Sequence, residues 1–208
     1  MRKIYGLGSL LLFGVQVQAY FLVTLLKGAV VFGFFPAMVG TLRILRKAME
    51  QKDLGGLSLS EAIREFDKKE WVSSNLIGWP ALLLCYLFSV NLWISQQYLQ
   101  VGVFHIFNIV LLAVVGSVLL HALSLMAKYD LPVKQYVIQG FLCGIIGFFD
   151  TLAALIGMAL AFAVGIVIPP IGFFMGTALI LAPYAWFGNS TLARLERVFY
   201  SKVKPHED

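Results

Sequence analysis

His105, His121, Cys85, Cys143, Lys27 and Asp150 are the side chains within the apolar stretches of this chain that could ligate a metal, move a proton or act as a nucleophile. Their spacing argues against most of that chemistry. His105 and His121 share one apolar stretch but stand sixteen residues apart, about 24 Å along a helix, too far to hold one ion between them. The chain has no HExxH, no CxxC and no paired Cys/His spacing, so no metal or other cofactor is expected. It also has no G-x-x-x-x-G-K-[ST] loop, so it does not power transport by nucleotide hydrolysis. A disulfide between Cys85 and Cys143 would need matched depth, which the topology below does not provide. Lys27 and Asp150 are the only charges inside the long apolar regions, and intramembrane ionisable groups are functional candidates by default. Each falls toward the end of its apolar run. Lys27 is therefore expected to snorkel and Asp150, with Thr151, to cap a helix N-terminus; an Asp150–Lys27 contact is the alternative. Without a cluster of acid, base or ligand at one depth, no enzyme activity is expected.

The elements that must carry these residues are helices. Five stretches, about residues 8–32, 71–94, 101–127, 150–168 and 171–187, have the length and apolarity to cross a hydrocarbon core roughly 30 Å thick. Of 208 residues, 60% are hydrophobic and 13% charged, too little polar surface to cover a soluble globule of this size. The expected fold is an all-α membrane protein forming a single integral membrane domain over 1–208. Apart from Arg2, Lys3 and Lys27, every Lys and Arg falls between stretches one and two, between three and four, or after five. The positive-inside rule then places those loops and the C-terminus in the cytoplasm and the N-terminus outside, in a bacterial cytoplasmic membrane once the resemblance below is taken into account. A re-entrant pair within 8–42 is the alternative for the first stretch. The net charge of +5 belongs to loops that meet lipid headgroups, and no nucleic-acid partner is expected.

Three amphipathic segments are predicted on the cytoplasmic side, about 36–50, 58–70 and 134–149. The first follows Pro36, which ends or kinks the first span, and should lie at the inner interface with Arg43, Arg46 and Lys47 on its polar side. In the second, Ser58 and Glu61 form a capping-box pattern, and Leu59, Ala62, Ile63 and Phe66 recur at helical spacing. The third is broken by Gly140, Gly144 and Gly147. Within the spans, Asn91, Asn108, Gln16 and Gln18 read as interhelical polar contacts, and Gly157, Gly165, Gly172 and Gly176 as points of close helix approach.

Gly33-Phe34-Phe35-Pro36-Ala37, leading to Leu42 and Arg46-Lys47, then Phe66 and Lys68-Lys69-Glu70-Trp71 with Asn75 beyond, resembles the YesL family of small bacterial membrane proteins. In that family a G-x-F-P-A stretch ends the first span, and an aromatic-basic-basic-x-aromatic pattern precedes the second. Lys27 stands where the family has an apolar residue. The resemblance carries no catalytic residues. It implies company instead, because such proteins are associated with carbohydrate ABC importers. The expected function is a non-enzymatic accessory subunit of an oligosaccharide ABC importer that binds the permease subunits. An autonomous small transporter or channel acting as a homo-oligomer is the alternative. Residues that combine the family-like motif with an apolar face, namely Pro36, Leu59, Ile63, Phe66 and Trp71, are the expected partner contacts.

Overall fold

A computed structural model of the protein describes residues 2–51, 68–99 and 102–200. Among these residues the chain is helical throughout apart from short connections: α1 (Arg2–Lys27), α2 (Phe34–Gln51), α3 (Lys68–Ile94), α4 (Gly102–Met126), α5 (Val133–Ile146), α6 (Phe148–Val167) and α7 (Pro169–Tyr200). Five of them contain stretches long and apolar enough to cross a membrane, Gly8–Lys27, Glu70–Tyr98, Gly102–Met126, Phe148–Val167 and Pro169–Arg197. The protein is an all-α, multi-pass membrane protein. Its outward faces agree: Leu83, Phe107, Ile156 and Phe162 are exposed on α3, α4 and α6. That is a surface for acyl chains rather than for water.

Helix boundaries follow from local chemistry. α1 stops at Lys27, and the chain turns through Gly28–Gly33 with Ala29 and Val30 at φ 50° and 68°. Pro36 falls in the first turn of α2, where its missing N–H would have had no helical partner. Pro132, held extended at φ −68° and ψ 148°, precedes α5. Gly147 ends α5 and opens α6. Ile168 is extended at φ −121° and ψ 80°, as a residue before proline should be, and Pro169-Pro170 starts α7. α3 and α7 run through Pro80 and Pro183, and α3 closes on a π-helical turn, Ser95–Leu99.

α6 and α7 form an antiparallel pair. Gly165 faces Gly172, where an added Cβ would lie 3.1 Å from Gly165 backbone carbon; further along, Gly157 faces Pro183, and Asp150 reaches Ser190. Gly176, expected to belong to the same seam, has open space instead. α5 packs antiparallel on α4 through Gly140 and Gly144. α1 lies along α7, with Gly14 against Met175 and Gln18 Oε1 accepting from the Thr177 amide at 2.9 Å.

α2 departs from its sequence-based expectation. Instead of lying at the interface, it is buried on nearly every side: Phe35, Ala37, Val39, Thr41, Leu42, Leu45, Arg46 and Ala48 are all inside. Tyr20 of α1 packs on Gly40, and the Phe35 ring packs on Gly78 of α3 and edge-on to Trp79. An amphipathic pattern reports two chemically different faces, and here protein covers the polar face at Arg46 and partly at Arg43, while Lys47 and Glu50 stay exposed. Residues 8–42 are thus divided between α1 and the first half of the interior α2, which folds back on it.

Candidate functional site: the charged end of the bundle

The basic residues gather at one end, and acidic side chains meet them there. Arg43 of α2 bridges to Glu70 at the start of α3 and donates to the Met126 carbonyl at the end of α4, at 3.5 Å. Arg46, itself buried, pairs with Glu50 one turn on at 3.2 Å. Glu196 of α7 accepts from both Lys128 and Tyr129 in the α4–α5 connection. Tyr136 ties that connection down, its hydroxyl donating to the Tyr129 carbonyl at 2.7 Å and accepting from the Leu131 amide at 2.9 Å. Five elements are thus linked across one end by side chains that would have to be desolvated singly if any partner were removed.

The YesL-like residues form a clasp beside this end. Asn75 of α3 donates through Nδ2 to the Phe32 carbonyl at 2.9 Å and to the Trp71 carbonyl at 2.9 Å, while its Oδ1 accepts from Trp79 Nε1 at 3.1 Å. One side chain therefore satisfies an exposed carbonyl of the α1–α2 turn and orients the Trp79 indole against Phe35. Gly33 closes the same turn: an added Cβ would lie 2.7 Å from the Thr24 carbonyl oxygen and closer still to that of Leu25. Residues far apart in sequence, Gly33, Phe35, Asn75 and Trp79, prove to be one packing unit.

A second constellation is buried where α4, α6 and α7 meet. His121 Nε2 lies 2.8 Å from Thr151 Oγ1, which in turn donates to the Gly147 carbonyl at 2.9 Å. Asp150 Oδ2 accepts from Ser190 at 2.8 Å and Thr191 at 3.1 Å, and Oδ1 faces Arg194 at 3.5 Å. Gly144 lies against Ser117, and Gly147 against Thr191, so both glycines admit polar neighbours at close range.

This corrects two expectations for Asp150. It is not a cap: Gly147 occupies that position without a side-chain cap bond, and Asp150 is one of the first-turn residues of α6. Its carboxylate turns sideways to the hydroxyls of the neighbouring helix, which offer better-placed donors than the helix's own amides. Its charge partner is Arg194, not Lys27. Lys27 is exposed at the end of α1. Pro36 is fully buried and shapes the entry to α2, so it presents no surface to a partner. Trp71 is half-buried, with its carbonyl bonded by Ser74 and Asn75. Leu59, Ile63 and Phe66 lie outside the described residues. Asn108, expected to bridge helices, bonds back to Phe104 of its own helix at 2.8 Å, and Asn91 is exposed. Cys143 is buried, Cys85 half-buried, and both are free.

Sequence reasoning did not find Ser190, Thr191 or Tyr184, and it placed Thr151 at a helix cap rather than against His121. Their one available signal is a hydroxyl repeatedly set in an apolar helix, and only the packing tells which hydroxyls face one another. Among the described residues, no group of three or more His, Cys, Asp or Glu side chains is placed to hold a metal. The polar groups bind helix to helix instead.

No curated protein and no solved structure matches the chain. Residues 15–92, running from α1 through the buried α2 to near the end of α3, match the family described as "Protein of unknown function, DUF624", the family to which YesL proteins belong.

Proposed function

We propose that the protein is a YesL-type, non-enzymatic accessory subunit of a bacterial carbohydrate ABC importer, binding the permease subunits within the membrane. The observation that carries the reading is the coincidence of the DUF624 match with the YesL-like residues and with one structural unit, the Gly33–Asn75 clasp. The link to sugar uptake rests on the YesL resemblance. In this reading the charged end is cytoplasmic. The Arg43–Glu70 bridge joins α2 to the start of α3, the two helices that flank residues 52–67 in sequence, where Leu59, Ile63 and Phe66 recur at helical spacing. A self-contained channel would need polar side chains at successive depths. Here the polar contacts of His121 with Thr151 and of Asp150 with Ser190 and Thr191 run from helix to helix, which favours a binding role.

The test is purification of the tagged protein from its native membrane in mild detergent, with co-purifying chains identified by mass spectrometry. A carbohydrate ABC permease should be among them. Changing Ile63 and Phe66 together to Ser should reduce that permease several-fold while leaving membrane insertion intact. Absence of any permease with the unmodified chain defeats the assignment, and equal recovery with the double variant defeats the placement of the interface.

A further inference from the structure

Two aromatic rings in the interior carry polar atoms that the protein itself leaves unmet. His121 and Tyr184 are each about 1% exposed, their ring centroids are 6.2 Å apart, and neither His121 Nδ1 nor the Tyr184 hydroxyl has a hydrogen-bond partner. An orphaned buried polar atom is destabilising, so two in neighbouring rings form a conspicuous defect unless something joins them.

The protons can be assigned. Thr151 has one hydroxyl proton, and it lies toward the Gly147 carbonyl. Its oxygen must then accept from His121, so Nε2 carries the imidazole proton and Nδ1 of the neutral ring presents a lone pair. Tyr184 supplies the complementary group, an O–H that lies near Ser124 but has no acceptor in hydrogen-bonding geometry. Ser124, one turn beyond His121 on α4, stands beside Gly188 of α7, and Tyr184 flanks the same glycine. A Cβ at Gly188 would sit 3.1 Å from Ser124 Oγ and 3.9 Å from Tyr184 Cζ. Gly188 thus sets no side chain between Ser124 and Tyr184.

We propose that His121, Ser124 and Tyr184 form an internal binding site for one water molecule that links α4 to α7. Such a guest donates to Nδ1, accepts from the Tyr184 hydroxyl and uses its second proton on Ser124 Oγ, within the two to four partners typical of a buried water. The site is independent of the importer assignment.

The test uses the full chain, labelled with ¹⁵N-histidine and reconstituted in lipid bilayers. Water-edited solid-state NMR should show rapid magnetisation transfer from water to the His121 ring, with its signal assigned by its loss in His121→Gln. Tyr184→Phe should weaken that transfer and lower Tm in detergent by about 2–5 °C, the loss of one bridging hydrogen bond. Gly188→Ala should abolish the transfer while retaining both rings. A Tm that is unchanged or raised in Tyr184→Phe would mean that the hydroxyl is an unrelieved orphan and would overturn the site. A lowered Tm without water transfer in the unmodified protein would mean a direct side-chain bond and would overturn it equally.

Discussion

Replacing Gly33 with alanine tests whether the α1–α2 turn is as tightly determined as its geometry implies. The new Cβ would lie 2.7 Å from the Thr24 carbonyl oxygen and 2.8 Å from the Leu25 carbonyl carbon, where relaxed contacts need about 3.5 Å. Both neighbours are backbone, so no side chain can rotate away. The Leu25 oxygen already accepts from the Gly28 amide at 3.2 Å and the Val30 amide at 2.9 Å, and moving it aside stretches both bonds. Overpacking of this kind costs about 1–3 kcal/mol, and weakening two hydrogen bonds adds about 1 kcal/mol. A total of about 3 kcal/mol corresponds to a fall in Tm of roughly 6–12 °C for a chain of this size. Thermal unfolding in a mild detergent, followed by intrinsic tryptophan fluorescence, reads it directly. Gly116→Ala is the control, since nothing lies within 4 Å of a Cβ there; its Tm should hold or rise by a few degrees. A Gly33→Ala protein melting within 2 °C of the unmodified chain would show that the turn yields and that the close approach is not a constraint.

Three further outcomes follow from the same geometry. Val30, a β-branched residue at φ 68°, should be improved by Val30→Gly: relief of about 1–2 kcal/mol of left-handed strain exceeds the added chain entropy, and Tm should rise by about 1–4 °C. Asp150→Asn should cost under about 1 kcal/mol, because an amide oxygen still accepts from Ser190 and Thr191 and the Arg194 partner is largely exposed; Asp150→Leu should cost about 1–3 kcal/mol in the same melting assay. Single cysteines replacing Gln97 and Gln51 in a Cys-free background, both charge-neutral changes, should react with an impermeant maleimide from opposite faces of the membrane, Gln97 from outside. Reaction of both from one face would contradict the crossing of α3.

How far the sequence could be read depends on which physical signal each element leaves. Hydrophobic length is local, so the middle three spans were legible to within a few residues; the first is cut short by Gly28–Gly33 in an apolar run that composition alone carries on to Phe32, and the fifth continues past Phe187 to Arg197. Breakers are local too, and Gly147 and Pro169-Pro170 mark the ends of α5, α6 and α7. What a face packs against is not local. α2 has the sequence of an interfacial helix, and only the arrival of Tyr20, Phe35's neighbour Gly78, Glu70 and Met126 from three other helices turns it into an interior one. Asp150 was conspicuous as a charge, but its role turns on Ser190 and Thr191, some forty residues away on the antiparallel helix. The motif residues behave likewise. Gly33 and Asn75 carry the family likeness in sequence, and the structure gives the likeness a physical reason: Gly33 admits the carbonyls of α1, and Asn75 caps the turn that this approach creates. A substitution at Gly33 or Asn75 is therefore expected to act through the shape of the α1–α2 turn rather than through a contact of its own with a partner.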